Sequence, residues 1–392
     1  MSNFKSPLVL DLGSSEIKAG ISTSSKYHIP DLVIRNSIGH WNGSFDLSSR
    51  NKYKPILIGN EINDFYHYDV THPMKNGIID DDRVSDEIDI LRYILKDQLN
   101  ICPNEHPLFL CCPIQMGNND IETLYEIFFE TFDFPMIQMQ PQPLMSLYGH
   151  GLVTGIVVDS GKSHTDIVPV HDSKILYKNA FHSNFGGRDI TQFIYNSFLY
   201  NFGRNYVAEM EICKKIKEKM CFVSHDIKLE RKIGSETTSY DNYYALENGR
   251  KIKISHQKYE APEIMFTKQF DIEINGGIHE CIFDTIMKTD ENLHDTFFKN
   301  IILTGNNTKF PGFGSRLQKE MKRMVSMTIF GNRRNNNVGI IENTLNNYYD
   351  SYDGGCLVAN ISKNKEYNWI SKGFYNELGA QRAIQYYLNS FN

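Results

Sequence analysis

The sequence predicts an α/β protein made of two similar halves. Two observations carry this. A strand, an Asp-x-Gly turn with small polar residues and a return strand occur at Leu8–Gly20 (LVLDLGSSEIKAG), and again at Gly155–Val170 (GIVVDSGKSHTDIVPV). Each copy is followed by stretches with helical spacing of apolar residues. Two such hairpins from different halves of one chain can grip a polyphosphate from opposite sides, so a nucleotide site between two domains is the leading expectation.

The elements follow in order. Residues 8–34 alternate apolar and polar positions between turns, as a β-meander does. Residues 36–54 are polar and turn-rich, an exposed loop or small lobe. Residues 84–101 have helical spacing through Ile88, Ile90, Leu91, Ile94, Leu95 and Leu99. His106–Cys111 reads as a short buried strand. Residues 120–132 form a helix with Leu124, Ile127, Phe128 and Phe132 on one face. A new meander starts at 155, residues 210–222 read as an amphipathic helix, and Ile301–Thr304 is a buried strand running into Gly305. The run 333–337 reads as a solvated loop. The result is a duplicated architecture with insertions in each half.

Composition narrows the function. The 392 residues suffice for a large core or two domains, and 41% hydrophobic content fits a globular chain. The net charge of -6 offers no bulk basic field for nucleic acid. No stretch approaches the ~20 apolar residues of a membrane helix. Residues 1–10 read as a first strand, not a signal peptide. Seven cysteines at spacings that match no zinc or disulfide framework read as free thiols in a reducing compartment, the cytosol or the nucleus. Cys111 and Cys112, adjacent in a strand, are expected to face opposite ways, one inward and one outward.

Several motifs occur in a fixed order across about 360 residues. They are His72-Pro73-Met74-Lys75-Asn76-Gly77-Ile78, Gln142–Tyr148, Gly187-Arg188-Asp189, Ile216–Lys219, Gly277–Glu280, Phe310-Pro311-Gly312 and Trp369–Lys372. Together with the two hairpins they resemble the actin superfamily over nearly the whole chain. Stretches divide among its branches. Residues 152–158, 187–191, Tyr259–Glu263 and Lys363-Asn364-Lys365 are similar to actin-related protein 2, Lys96–Leu99 to centractin and 277–288 to conventional actin. The chain is identified as a divergent actin-related protein.

The resemblance implies the duplicated ATPase fold shared by actins, Hsp70 chaperones and sugar kinases, with two lobes of two subdomains around a nucleotide cleft. It implies subdomain 1 from 1–33, 73–149 and 352–392, subdomain 2 from 34–72, subdomain 3 from 150–188 and 278–351, and subdomain 4 from 189–277. Residues 34–72 would be the small outer lobe and Gln142–Tyr148 the hinge helix.

It also implies a site for ATP or ADP with Mg²⁺. Asp11 and Asp159 would face the metal through water, because Mg²⁺ keeps most of its hydration shell. Gly13, Ser14 and Ser15, and then Gly161 and Ser163, would offer groups to phosphate oxygens, with Lys18 reaching the β- and γ-phosphates. Alone, Asp11-x-Gly13 is an ordinary turn; Lys18 and the second copy make it a clamp. Lys214, Lys217 and Glu218 take the adenosine positions, and Gly187, Asp189, Gly305, Asn306 and Phe310 complete the nucleotide set. Gln142 would orient the attacking water.

The departures bear on hydrolysis. Ser15 replaces a glycine, which demands φ below zero or strain. Lys162 replaces an acidic residue; it either pairs with phosphate oxygens or points outward. Asp166 replaces a histidine that helps organise the attacking water. It would accept a proton, yet it repels a γ-phosphate. Asn306 takes the place of a glycine, where asparagine tolerates a left-handed conformation and its side chain impinges on the nucleotide. Tyr348 stands where a base-contacting lysine is usual.

The resemblance places filament contacts at residues 39–53, at 268–276 and around Tyr148, Gly151 and Val153. Residues 39–53 do not resemble actin's sequence there and 268–276 are more acidic than an apolar plug, which argues for defined heteromeric partners, actin included, over a robust homopolymer. The implied function is an ATP-binding structural subunit of a cytoskeletal assembly with slow or absent hydrolysis, in the cytoplasm. The alternatives are a polymerising actin-like ATPase, a nuclear chromatin-remodelling actin-related protein and, from another class, a sugar kinase or chaperone ATPase of the same fold.

Overall fold

The computed structural model describes residues 4–25, 28–43, 53–63, 65, 67–198, 206–246, 249–267, 276–327, 337–342, 349–363 and 369–389. The chain forms two compact units. One comprises residues 1–154, 170–176 and 343–392; the other comprises 155–169 and 177–342.

The first unit is built on a six-stranded sheet. Its order is Ile370–Ser371, Met136–Pro141, Leu108–Cys112, Leu8–Leu12, Glu16–Ile21, Leu32–Arg35. Three of these strands, Leu8–Leu12, Leu108–Cys112 and Met136–Pro141, run parallel. Leu8–Leu12 and Leu108–Cys112 are buried throughout. Near-continuous apolar runs such as LVLDL and LFLCC are what parallel strands covered on both faces require. This corrects the reading of Cys111 and Cys112. Both thiols are fully buried, because neither face of this strand meets water. Free cysteines are otherwise as expected: among the described residues only Cys102 is exposed.

Helices cover that sheet. Val84–Arg92 continues as a wide π turn over Tyr93–Gln98, and Asn118–Tyr125 does the same over Glu126–Thr131. Their apolar faces join the sheet in one core with Ile90, Leu91, Ile94, Leu124, Phe128 and Phe129. Gln142–Gly149 carries Pro143 in its first turn, where a fixed φ suits a helix start. Asp350–Ser362 packs against that helix. A smaller sheet within this unit joins Ile38–Trp41 to Ile56–Ile58 and Tyr68–Thr71.

The second unit repeats the theme. Gly155–Ser160 lies between Thr165–His171 and the parallel strand Ile301–Thr304, with Phe181–Ser183 added beside Thr165–His171. The helices Gly187–Ser197 and Tyr206–Met220 pack together. Arg316 on Phe313–Met327 ties this unit internally. It pairs with both oxygens of Glu263 at 3.0 Å, with Glu320 at 2.9 Å and with the Ser224 carbonyl at 2.7 Å. A fork satisfied on all sides in this way offsets the desolvation of a buried charge.

Among the described residues, no helix is long and apolar enough to cross a membrane. Tyr348, the run at 333–336, residues 44–52 of the outer segment, 268–275 and Asn364-Lys365 lie outside the described residues.

Candidate functional site

In the first unit the strand register assembles the candidate site. Leu8–Leu12 and Glu16–Ile21 are antiparallel, and their pairing sets Asp11 opposite Lys18. Lys18 Nζ lies 2.6 Å from Asp11 Oδ2. Gln142, the first residue of its helix, donates to Asp11 Oδ1 at 2.7 Å and to the Leu12 carbonyl at 3.0 Å. Ser351 donates to Asp11 Oδ2 at 2.7 Å. A carboxylate offers about four acceptor positions. Asp11 is buried with three donors on it, which leaves an acceptor position for the water shell of a metal ion. It therefore fits the role of a ligand through water.

The turn between these strands needs its glycine. A Cβ on Gly13 would stand 2.6 Å from the Glu16 carbonyl oxygen. Ser15 is not among the residues with positive φ, so the serine is accommodated without backbone strain. Ser14 Oγ accepts from the Gly77 amide at 3.2 Å. Behind the turn, Asn36 donates to the Gly13 carbonyl at 3.3 Å and approaches Glu87 Oε1 at 3.5 Å. Glu87 is wholly buried, and burial pushes its carboxyl up to about 7, with the Asn36 contact opposing.

In the second unit Asp159, next to the last residue of its strand, lies opposite Thr304. The loop after it is held from below by Asn307, which donates to the Gly161 carbonyl at 2.7 Å and to Ser160 Oγ at 3.1 Å. Gly187 N–H donates to the Gly161 carbonyl at 2.9 Å, and Arg188 N–H to that of Lys162 at 2.8 Å. Asp189 accepts from the Gly186 amide at 2.8 Å, which caps the helix Gly187–Ser197. Lys217 is buried and donates to the Gly187 carbonyl at 2.9 Å. Lys214 lies 4.0 Å from Glu211, and Glu218 is exposed. Gly161, Lys162, Ser163, Gly187, Asp189, Lys217 and Asn307 thus form one connected patch.

Lys162 stands in a cationic field. Burial lowers it to about 7, and Lys214, Lys217 and Arg188 push the same way against Glu211. Lys217 is lowered to about 8, again chiefly by burial.

The loop 305–310 differs from expectation. Gly305 itself takes the left-handed conformation, at φ 82°, and a Cβ there would collide with the Ser160 carbonyl oxygen. Asn306 needs no special conformation; its side chain is exposed and accepts from Lys309 at 3.0 Å. Phe310 closes the turn and is buried.

Asp166 is buried and lies 2.6 Å from His182 Nδ1, with His164 Nε2 at 3.6 Å from its other oxygen. Among the described residues, no three or more His, Cys, Asp or Glu side chains are disposed to hold a metal directly.

Sequence reasoning missed Ser351, Asn36, Glu87 and His182, and it read Asn307 only as part of the Gly305–Thr308 loop. Ser351 reaches Asp11 from 340 positions away, and Glu87 reaches Asn36 from 51.

The comparisons agree with this architecture. The Actin family model matches residues 3–387. Actin-related protein 2 of Acanthamoeba castellanii is 31% identical over 400 residues, covering 97% of this chain and 98% of that protein. Actin-related protein 2 of Saccharomyces cerevisiae is 30% identical over 390 residues, 97% of this chain and 98% of that one. The Schizosaccharomyces pombe protein of the same name is 30% identical over 382 residues and 96% of each chain. With a family model that matches residues 3–387 and relatives of 30–31% identity aligned over nearly their whole length, this chain belongs to the actin family.

Proposed function

We propose that this chain is an actin-related protein that binds ATP or ADP with Mg²⁺ and serves as a structural subunit of a heteromeric cytoskeletal assembly in the cytoplasm. Hydrolysis is slow or absent. The observation that carries the binding reading is Asp11, a buried carboxylate held by Lys18, Gln142 and Ser351 at the turn of the first hairpin. The assembly reading is supported by relatives named actin-related protein 2 that align over nearly their whole length.

In this reading Asp11 and Asp159 hold the metal's water shell, and the metal supplies charge neutralisation at the phosphates. Gly13, Ser14, Ser15, Gly161 and Ser163 bind phosphate oxygens. Lys18 exchanges its contact with Asp11 for the β- and γ-phosphates. Lys214, Lys217 and Glu218 bind the nucleoside, with Gly187, Asp189, Gly305, Asn306 and Phe310 shaping that side. Gln142 orients water and cannot take its proton. Lys162 binds phosphate oxygens as a cation. The four-subdomain division given above belongs to the same reading, with bound nucleotide acting as a ligand of the folded state.

A tagged pull-down from the native cell at physiological salt tests the assembly. The expected result is a fixed set of non-actin subunits at one-to-one ratio. Recovery of the chain alone, or of long homopolymers, contradicts it.

A further inference from the structure

The turn of the first hairpin is held from behind by one asparagine. Asn36 N–H donates to the Ser15 carbonyl at 2.9 Å, and Asn36 Nδ2 donates to the Gly13 carbonyl at 3.3 Å. The two bonds bracket Gly13-Ser14-Ser15. A peptide plane is rigid, and in a trans peptide the N–H points opposite to the carbonyl. Holding the Gly13 carbonyl towards Asn36 therefore aims the Ser14 N–H away from it. The asparagine sets the direction of an amide that the nucleotide reading gives to phosphate.

Asn36 is set in turn by its own surroundings. Its carbonyl accepts from His72 Nδ1 at 2.9 Å, and its Nδ2 also approaches Glu87 Oε1 at 3.5 Å. The Asn36 and Glu87 side chains are wholly buried. Each has one oxygen, Asn36 Oδ1 and Glu87 Oε2, with no hydrogen-bond partner among the described residues. With Glu87 ionised both are acceptors, and buried acceptors without a donor are costly. A proton on Glu87 Oε2 supplies the missing donor. Acid and amide then pair reciprocally, Nδ2–H to Oε1 and Oε2–H to Oδ1, while the second Nδ2 hydrogen stays on Gly13.

The charged groups nearby are engaged elsewhere. Asp86, beside Glu87 on the helix Val84–Arg92, meets His40 at 3.2 Å, Thr71 at 3.1 Å and Arg83 at 3.5 Å. His72 bears on the Asn36 carbonyl. Burial raises the Glu87 carboxyl to about 7, and the Asn36 contact opposes.

We propose that Asn36 and Glu87 are a positioning pair for the phosphate turn, and that the proton they share favours nucleotide binding. This deepens the ATP-binding reading above and rests on it. Loss of the proton leaves Oε2 and Oδ1 as opposed acceptors and draws Nδ2 towards the carboxylate. The hold on the Gly13 carbonyl then weakens, and ATP affinity falls as pH rises.

The test is calorimetric titration of the full chain with ATP and Mg²⁺ between about pH 5.5 and 8.5. Wild type should bind about threefold to tenfold more weakly at the alkaline end, the worth of one hydrogen bond. Glu87→Gln keeps a donor facing Asn36 at every pH, so it should hold its acid-side affinity across the range. Lys162 titrates alike in both proteins, so the difference between the two curves belongs to Glu87. Asn36→Ala should bind about tenfold more weakly, and adding Glu87→Gln to it should change nothing further. The carbon-13 NMR titration of the Glu87 carboxyl should move to higher pH when ATP binds, a shift that a merely structural residue does not give. If Asn36→Ala does not fold, the glutamine comparison and the NMR titration decide. The inference is overturned if Glu87→Gln follows the wild-type pH curve, or if ATP leaves the Glu87 titration in place. A wild type that binds no ATP at any pH removes the binding reading and this inference with it. ATP binding without a part that depends on Glu87 removes the inference alone.

Discussion

The two hairpins begin alike and are finished differently. At the first, charge is neutralised internally: Asp11 faces Lys18 across the ladder, and Gln142 and Ser351 complete its shell. At the second, the loop after Asp159 carries Lys162, which feels Lys214, Lys217 and Arg188 as neighbouring cations. Behind the first turn sits Glu87, raised by burial to about 7; in the second, Lys162 is lowered by burial to about 7. Acidification therefore removes charge beside the first hairpin and adds it at the second. One backbone device has been tuned in opposite directions, which points to an anion as the second loop's natural counter-charge.

Four changes would break or sharpen this contrast. The largest effect is expected from Gly305→Ala, which combines a left-handed φ of 82° with collision against the Ser160 carbonyl. It should cost about 3 kcal/mol in denaturant unfolding. A cost below about 1 kcal/mol would show that the second loop is not rigidly seated.

Glu87→Gln comes next. The folded carboxyl titrates at about 7 against an ordinary 4.5, so between those values the folded state holds a proton that the unfolded state has lost. Stability then falls as pH rises from about 4.5 to about 7, by about 3 kcal/mol. The glutamine variant should lose this slope, and a slope left unchanged would assign it to another group.

Lys18→Ala removes a charge-assisted contact worth about 1.5–3 kcal/mol, so ATP should bind roughly tenfold to a hundredfold more weakly. ATP-dependent melting identical to wild type would remove the clamp assignment.

The smallest effect on ATP binding is expected from Lys162→Met. Between about 7 and 10.5 the folded lysine has lost a proton that the unfolded chain keeps, so this group makes stability rise with pH across that window. The methionine variant should lose that rise. Wild-type ATP affinity should also weaken by about fivefold as Lys162 loses its charge, and the variant should show no such change.

The sequence made the strands and both turns readable because they depend on local pattern. LVLDL, LFLCC and IILT are apolar runs that only buried strands use, and Asp-x-Gly between strands forces a tight turn. The side chains that support the two turns from elsewhere in the chain were not readable. Ser351 meets Asp11 from 340 positions away, and Asn307 meets Gly161 from 146. No local rule specifies such meetings; they follow from helix packing in one unit and strand order in the other. Cys111 and Cys112 were misread because alternation assumes one wet face, and this strand has none. In the 305–310 loop Gly305 adopts the left-handed conformation, so the tolerance that asparagine brings at Asn306 is not called on.

The account's central proposal is that this chain binds ATP with Mg²⁺ and that residues of each hairpin contribute. Calorimetric titration of the full chain with ATP and Mg²⁺ tests it most directly, comparing wild type with Lys18→Ala from the first hairpin and Lys217→Ala beside the second. The account predicts a single ATP per chain, with affinity reduced by each substitution. No binding, or binding that ignores both substitutions, would contradict it.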